Sequence, residues 1–167
     1  MSASRRVIGP EPLSESAWAP FGWLPLPDSD PRDGDQTMNF AWSDPHINII
    51  GHARNEVPAT EGGLLCEMLY RHETHTQSVM SLDVPAVIAV APGTVDFSKP
   101  EDVESIRAFR LEPLEALVLN RGTWHWGPYP TEAAEVRLFN VQGLRYAEDN
   151  VSVDLAGRGM DVEVALA

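Results

Sequence analysis

Apolar and β-branched residues recur in short runs along the chain: Ile47 to Ile50, Leu64 to Tyr70, Ser78 to Leu82, Val87 to Val90, Ile106 to Leu111, Ala116 to Leu119 and Val136 to Val141. Runs of this length bounded by turn formers predict β-strands rather than helices. Arg107-Ala108-Phe109-Arg110-Leu111 partly alternates polar with apolar, as a strand with one wet face does, whereas Val87-Ile88-Ala89-Val90 is apolar throughout, as a strand covered on both faces is. Pro92-Gly93 and Pro100-Glu101-Asp102 fall where an antiparallel sheet needs connections. The pattern predicts an all-β fold, an antiparallel barrel or double sheet. A short helix is predicted after Ser14, whose hydroxyl can accept a bond from an otherwise unpaired amide, with Pro20 and Gly22 ending it. Residues 1–12 are expected as a flexible arm and Pro25 to Asp35 as a surface loop. The tail after Asp149, with Val151, Val153, Leu155, Val162 and Val164, reads as a late strand or an arm packing on a partner.

At 167 residues the chain suits one domain spanning 1–167. Its 25 acidic against 12 basic residues give a net charge of -13, which repels phosphate backbones and anionic bilayers and argues against nucleic-acid and membrane partners. Cys66 is the single cysteine, so neither an intramolecular disulfide nor a cysteine metal cluster can form. Arg5 and Arg6 are not followed by the apolar stretch of a secretory signal, and the expected location is the cytoplasm.

Two clusters carry candidate chemistry. Tyr70-Arg71-His72-Glu73-Thr74-His75-Thr76-Gln77 sets a guanidinium beside imidazoles that can accept protons or bind metal. In a regular strand Tyr70 and His72 share a face and Arg71 points away, unless a bulge intervenes. In Asn120-Arg121-Gly122-Thr123-Trp124-His125-Trp126, Gly122 permits a tight turn just before His125. Trp124 and Trp126 are expected as walls or packing residues. His75 is an additional candidate ligand, while His46 and His52 lie in a loop-like context with weaker claims.

Gly122-Thr123-Trp124-His125 corresponds to the final Gly-x-x-His turn of a cupin metal site, and Tyr70-x-His72 with Gln77 five positions on corresponds to a degenerate first half. From Leu13 to about Gly143 the chain resembles the ureidoglycolate lyase family. The resemblance is carried by Ala17-Trp18-Ala19-Pro20-Phe21-Gly22, Arg71-His72 with Thr76-Gln77, Ala86 to Pro92, Ile106-Arg107-Ala108-Phe109 and Gly122-Thr123-Trp124-His125. It implies a cupin-like antiparallel β-barrel, a homodimer, and cleavage of ureidoglycolate to glyoxylate and urea in purine or allantoin breakdown. It further implies His72, His125 and Arg71 as catalytic groups and Arg121, Gln77, Trp124 and Tyr70 against a small carboxylate substrate. A divalent metal would be held by His72, Gln77 and His125. Departures from the family pattern are Tyr70 where an acidic residue usually precedes Arg-His, Ser81 in place of proline, and Trp126 in place of a second histidine. The alternatives are a cupin enzyme for another hydroxy or sugar acid, and a carboxylate-sensing cupin without catalysis.

Overall fold

The computed structural model describes residues 5–25, 27, 36–41 and 44–167. In chain order the elements are β1 (Arg6–Ile8), β2 (Pro10–Pro12), α1 (Glu15–Trp18), β3 (Gly22–Trp23), β4 (Pro45–Ala53), β5 (Gly63–Leu65), β6 (Met68–His72), β7 (Gln77–Ser81), β8 (Ala86–Ala91), β9 (Arg107–Leu111), β10 (Ala116–Leu119), β11 (Trp124–Pro130), β12 (Glu135–Gly143), β13 (Asn150–Asp154) and β14 (Val162–Ala165). They form a six-stranded sheet ordered β13-β6-β11-β8-β9-β2, a five-stranded sheet ordered β3-β10-β7-β12-β4, and a small sheet ordered β1-β14-β5.

The unbroken apolar run in β8 explains the layering. All six of its residues are buried. Ile88 and Val90 point into a core shared with Val79, Leu117 and Leu119 of the five-stranded sheet. Val87, Ala89 and Ala91 point the opposite way, into a second core with Leu64, Val162 and Val164 of the small sheet. A strand covered on both faces has no position for a polar side chain, and each buried valine or isoleucine contributes roughly 1.5–3 kcal/mol. Helix α1 seals the end of the first core. Ser14 caps it, its Oγ accepting from the Ala17 amide at 3.3 Å. The fully buried Trp18 donates from Nε1 to the Val118 carbonyl at 2.9 Å and packs edge-on against Phe109 at 5.2 Å.

The cupin-like all-β expectation holds, with a difference in closure: the five- and six-stranded sheets face each other as a sandwich and share no strand, so the barrel is open. Residues 6–12, expected as a flexible arm, are strands: β1 pairs in parallel with β14, and β2 in parallel with β9. Leu64 to Tyr70 is two strands, because the chain leaves one sheet for another at Cys66 and Glu67. The tail forms β13 against β6 and β14 against β5, so Val153, Leu155, Val162 and Val164 pack within the chain while Val151 stays exposed. The loop expected at Pro25 to Asp35 lies, apart from Pro25 and Pro27, outside the described residues. Among the described residues no helix is long and apolar enough to cross a membrane.

Candidate functional site

Three strand segments bring the two sequence clusters together. His125 on β11 pairs directly with Tyr70 on β6. The preceding turn is tied down twice: the Gly122 amide donates to the His72 carbonyl at 2.7 Å, and the Thr123 hydroxyl donates to the Phe21 carbonyl at 2.9 Å. Gly122 adopts φ +77, in the left-handed region that suits glycine. Gln77 opens β7 on the facing sheet. Between the sheets lies a cavity of about 430 Å³ whose walls include Tyr70, His72, Gln77 and His125, joined by His52 from β4 and Gln142 from β12. Among the described residues no Asp, Glu, Lys or Arg lines it.

The imidazoles are held in defined tautomers. His125 Nδ1 donates to the Thr123 carbonyl at 3.2 Å and His72 Nδ1 to the Asp149 carbonyl at 3.3 Å. In the neutral ring this leaves Nε2 with the lone pair. The two rings are 5.4 Å apart, and His75 stacks on the other side of His72 at 4.5 Å. Burial, and then the neighbouring His72, pushes the His125 pKa down to about 3. Burial followed by His72 likewise pushes His75 to about 4. Burial also lowers His72, opposed by the Asp149 carbonyl and charge. All three are therefore neutral near pH 7.

Gln77 is oriented by an amide relay. Its Nε2 donates to Asn140 Oδ1 at 2.8 Å, and Asn140 Nδ2 donates to Asn48 Oδ1 at 2.8 Å. Among the described residues, the buried Gln77 Oε1 meets no hydrogen-bond partner. Asp149 behaves differently. Its carboxylate accepts from the Thr74 amide at 2.9 Å, the Thr74 hydroxyl at 2.5 Å and the Glu73 amide at 3.3 Å. Burial raises its pKa, but the bonds from Thr74 and Glu73 outweigh that and hold it below the usual carboxylate value. Its Oδ2 also lies 3.2 Å from His75 Nδ1.

The structure assembles Tyr70, His72, Gln77 and His125 and leaves three expected site residues outside. Strand alternation turns Arg71 to the opposite face of β6, where its guanidinium lies 4.4 Å over the Trp124 ring, donates to the Gly93 carbonyl at 3.1 Å and pairs with Glu73 at 2.6 Å. Trp124 is a core residue, its Nε1 donating to the Val95 carbonyl at 2.8 Å. Arg121 sits exposed in the turn before β11, away from the cavity. Trp126, expected as a wall or packing residue, lies on the cavity wall. Sequence reasoning missed Asp149 and underrated His52. No local pattern marks Asp149, which meets His72 across 77 positions. His52 shares a face of β4 with Asn48 and Ile50 by alternation; its Nδ1 donates to the Pro128 carbonyl at 2.9 Å.

Two donor sets could hold a metal. His72, Gln77 and His125 face the cavity, while His72, His75 and Asp149 place ligating atoms within 4.8 Å of one another. The first set fits a divalent cation: two neutral imidazoles and a buried amide oxygen that meets no donor among the described residues. In the second, the carboxylate is already engaged by Thr74 and Glu73.

The chain is similar to the dTDP sugar isomerase of Desulfovibrio desulfuricans G20, with 12% identity and a TM-score of 0.47 over 82% of this chain and 76% of that one. It is also similar to vicilin from Corylus avellana (hazelnut), with 14% identity and a TM-score of 0.41 over 88% of this chain and 34% of that one. No curated protein matches the chain. A family model, ureidoglycolate lyase, matches residues 28–163, a span that contains His52, both histidine-bearing clusters and Asp149. The chain belongs to the ureidoglycolate lyase family.

Proposed function

We propose that this protein cleaves the carbon–nitrogen bond of ureidoglycolate to release glyoxylate and urea. The observation that supports the reading most is the wall formed by Gln77 with His72 and His125, whose imidazoles are neutral and preset in tautomer, bordering a cavity that no charged side chain lines among the described residues. The reaction needs no water and no net proton: the carbinol O–H proton leaves, its electrons form the aldehyde C=O, the C–N bond breaks, and the urea nitrogen takes a proton. One neutral imidazole that accepts from oxygen and donates to nitrogen serves both ends. His52 suits that shuttle, since its Nδ1 is engaged with Pro128 and its Nε2 carries the lone pair. His72, Gln77 and His125 would hold a divalent metal, which when bound supplies positive charge to the carbinol and carboxylate oxygens. The amide of Gln142 and the phenol of Tyr70 supply further hydrogen bonds to the acid and the ureido group. The setting is purine or allantoin breakdown, as the family resemblance implies, and the location expected from the sequence is the cytoplasm. Offering each ureidoglycolate enantiomer to purified protein, before and after metal depletion, tests the reading. It predicts release of both products from one enantiomer; saturable binding without urea release favours a carboxylate sensor instead.

A homodimer is proposed on a separate observation. On the outer face of the five-stranded sheet, edge-strand residues Ile47 and Ile49 are 63% and 56% exposed. Ile49 is in register with Phe139 and Ile47 with Val141, while Phe139 is in register with Met80, so the apolar face extends across three strands. An outer sheet face facing water is ordinarily polar. Sedimentation should show a dimer that Ile49→Lys converts to monomer; a monomeric unmodified protein contradicts this.

A further inference from the structure

Among the described residues, no side chain of the cavity wall forms an ion pair with a carboxylate. The cleavage proposed above changes bonds only at the carbinol carbon: the O–H proton leaves, the C=O bond forms, the C–N bond breaks and the urea nitrogen takes a proton. The carboxylate of ureidoglycolate is a spectator to that change, so it is required only where a site recognises it. We propose that this cavity selects the neutral carbinolurea unit, and that its substrates include carbinolureas R–CH(OH)–NH–CO–NH2 with an uncharged R group, converted to R–CHO and urea without a co-reactant. The inference rests on the carbon–nitrogen cleavage reading and widens its substrate class.

Charge carries the argument. An anion taken out of water needs a cation or several donors to offset its lost hydration. The two arginines expected near the acid are elsewhere: Arg71 lies over Trp124 on the other face of β6, and Arg121 is exposed in the turn before β11. Arg54, close in sequence to His52, donates to the Thr131 carbonyl at 3.4 Å and does not line the cavity. Carboxylates back the wall in two places. Asp149 holds His72 through its carbonyl, and its Oδ2 lies 3.2 Å from His75 Nδ1. Glu56 accepts from the amide of Ala53, the residue after His52. Burial, and then the Glu56 charge, pushes the phenol of Tyr129 on the wall up to about 12, so the site already resists one anion. The whole chain adds a net charge of -13, whose field repels an approaching monoanion and is screened by salt.

Hydrogen-bonding groups and room point the same way. The amides of Gln142 and Asn150 and the phenols of Tyr70 and Tyr146 are uncharged. Such groups bond to a carbonyl, hydroxyl or amide as they do to a carboxylate, without the charge-assisted pair that would favour the acid. Ile50 and Pro128 add apolar wall. The volume of about 430 Å³ lies in the range of sites for drug-sized ligands, well beyond the needs of ureidoglycolate. An R group larger than a carboxylate therefore has both space and apolar surface.

The test sets ureidoglycolate beside its neutral carboxamide and the urea adduct of butanal, following urea release above the uncatalysed rate at low and high salt. Both neutral compounds should be cleaved, the carboxamide with kcat/KM at least equal to that of ureidoglycolate at low salt. Added salt should raise kcat/KM for ureidoglycolate by up to about 10-fold and leave that for the carboxamide unchanged. Asn150→Arg places a cation at an exposed position on the wall and should raise the ureidoglycolate-to-carboxamide ratio about 10-fold, a gain that misfolding cannot produce. Calorimetry on metal-depleted protein reads selectivity without turnover: the unreactive ureidoacetamide should bind about 10-fold more tightly than ureidoacetate at low salt. Ureidoglycolate cleaved with both neutral compounds inert, or preferred over the carboxamide by more than about 10-fold, overturns the inference and leaves the cleavage reading standing. Cleavage of the neutral compounds alone upholds the inference and removes only ureidoglycolate as the substrate. No cleavage of any compound removes the cleavage reading; the two unreactive ligands then decide selectivity by themselves, and ureidoacetate bound as tightly as ureidoacetamide overturns it.

Discussion

His72 separates two polar clusters that share it but are built differently. On the cavity side, Gln77 and His125 are each held at one end, and Gln77 Oε1 meets no hydrogen-bond partner among the described residues. On the turn side, Asp149 gathers bonds from two consecutive residues, Glu73 and Thr74, and staples the turn that presents His75. The first cluster leaves a buried amide oxygen without a partner among the described residues, while in the second the carboxylate is satisfied and the two ring nitrogens of His75 are not. Buried polar atoms cost stability unless paired, so atoms left unpaired in the fold mark where a bound group belongs. The carboxylate therefore positions, and the amide oxygen and imidazoles receive.

Breaking the cavity side should produce the largest effect on activity. His125→Ala is expected to lower urea release by about 100-fold or more, the scale of losing a group at the reacting centre, with the far-ultraviolet circular dichroism unchanged. A folded His125→Ala protein that turns over at the unmodified rate would erase the distinction between the clusters.

Breaking the turn side should act mainly on the fold. Asp149→Ala leaves the Thr74 and Glu73 amides without their carboxylate, and hydrogen bonds to a charged acceptor are worth about 1.5–3 kcal/mol each. Thermal melting should show a Tm lower by several degrees; an unchanged Tm would mean that the staple contributes nothing.

A pH series sharpens the contrast further. His75 and His125 have folded pKa values of about 4 and about 3, below the ordinary 6.5, and His72 is lowered too. The unfolded chain therefore binds more protons than the folded one below pH about 6.5, and stability falls as pH drops through that window. Asp149, also lowered, adds loss in the same direction at the acid end. Tm should decline from pH 7.5 to 5, and His75→Phe should flatten part of that decline. A Tm that rises on acidification contradicts the burial of neutral imidazoles.

Much of this was legible in the sequence because it is local. The apolar run in β8 announced a strand covered on both faces, and Ser14 announced the cap of α1. The correspondence to a cupin metal site brought His72, Gln77 and His125 together, and strand alternation already put Arg71 on the other face. What stayed hidden depends on distant partners. Asp149 meets His72, Glu73 and Thr74 only because β13 pairs with β6, and the Asn48–Asn140–Gln77 relay crosses three strands. The open barrel was hidden as well, since strand runs do not reveal whether two sheets share an edge. Strand β11 was read as a site cluster because its aromatic and histidine residues masked the alternation.

Adjacent residues on β6 offer the most direct test of where the chemistry sits. Urea release by His72→Ala should be set beside that of Arg71→Ala, under one set of conditions and with folding verified. The account predicts a fall of about 100-fold or more for His72→Ala. Arg71→Ala should keep its rate, with only a small drop in Tm from the lost Trp124 and Glu73 contacts. A His72→Ala protein at full rate beside a crippled Arg71→Ala protein would place the reaction on the other face of the sheet and contradict the site described here.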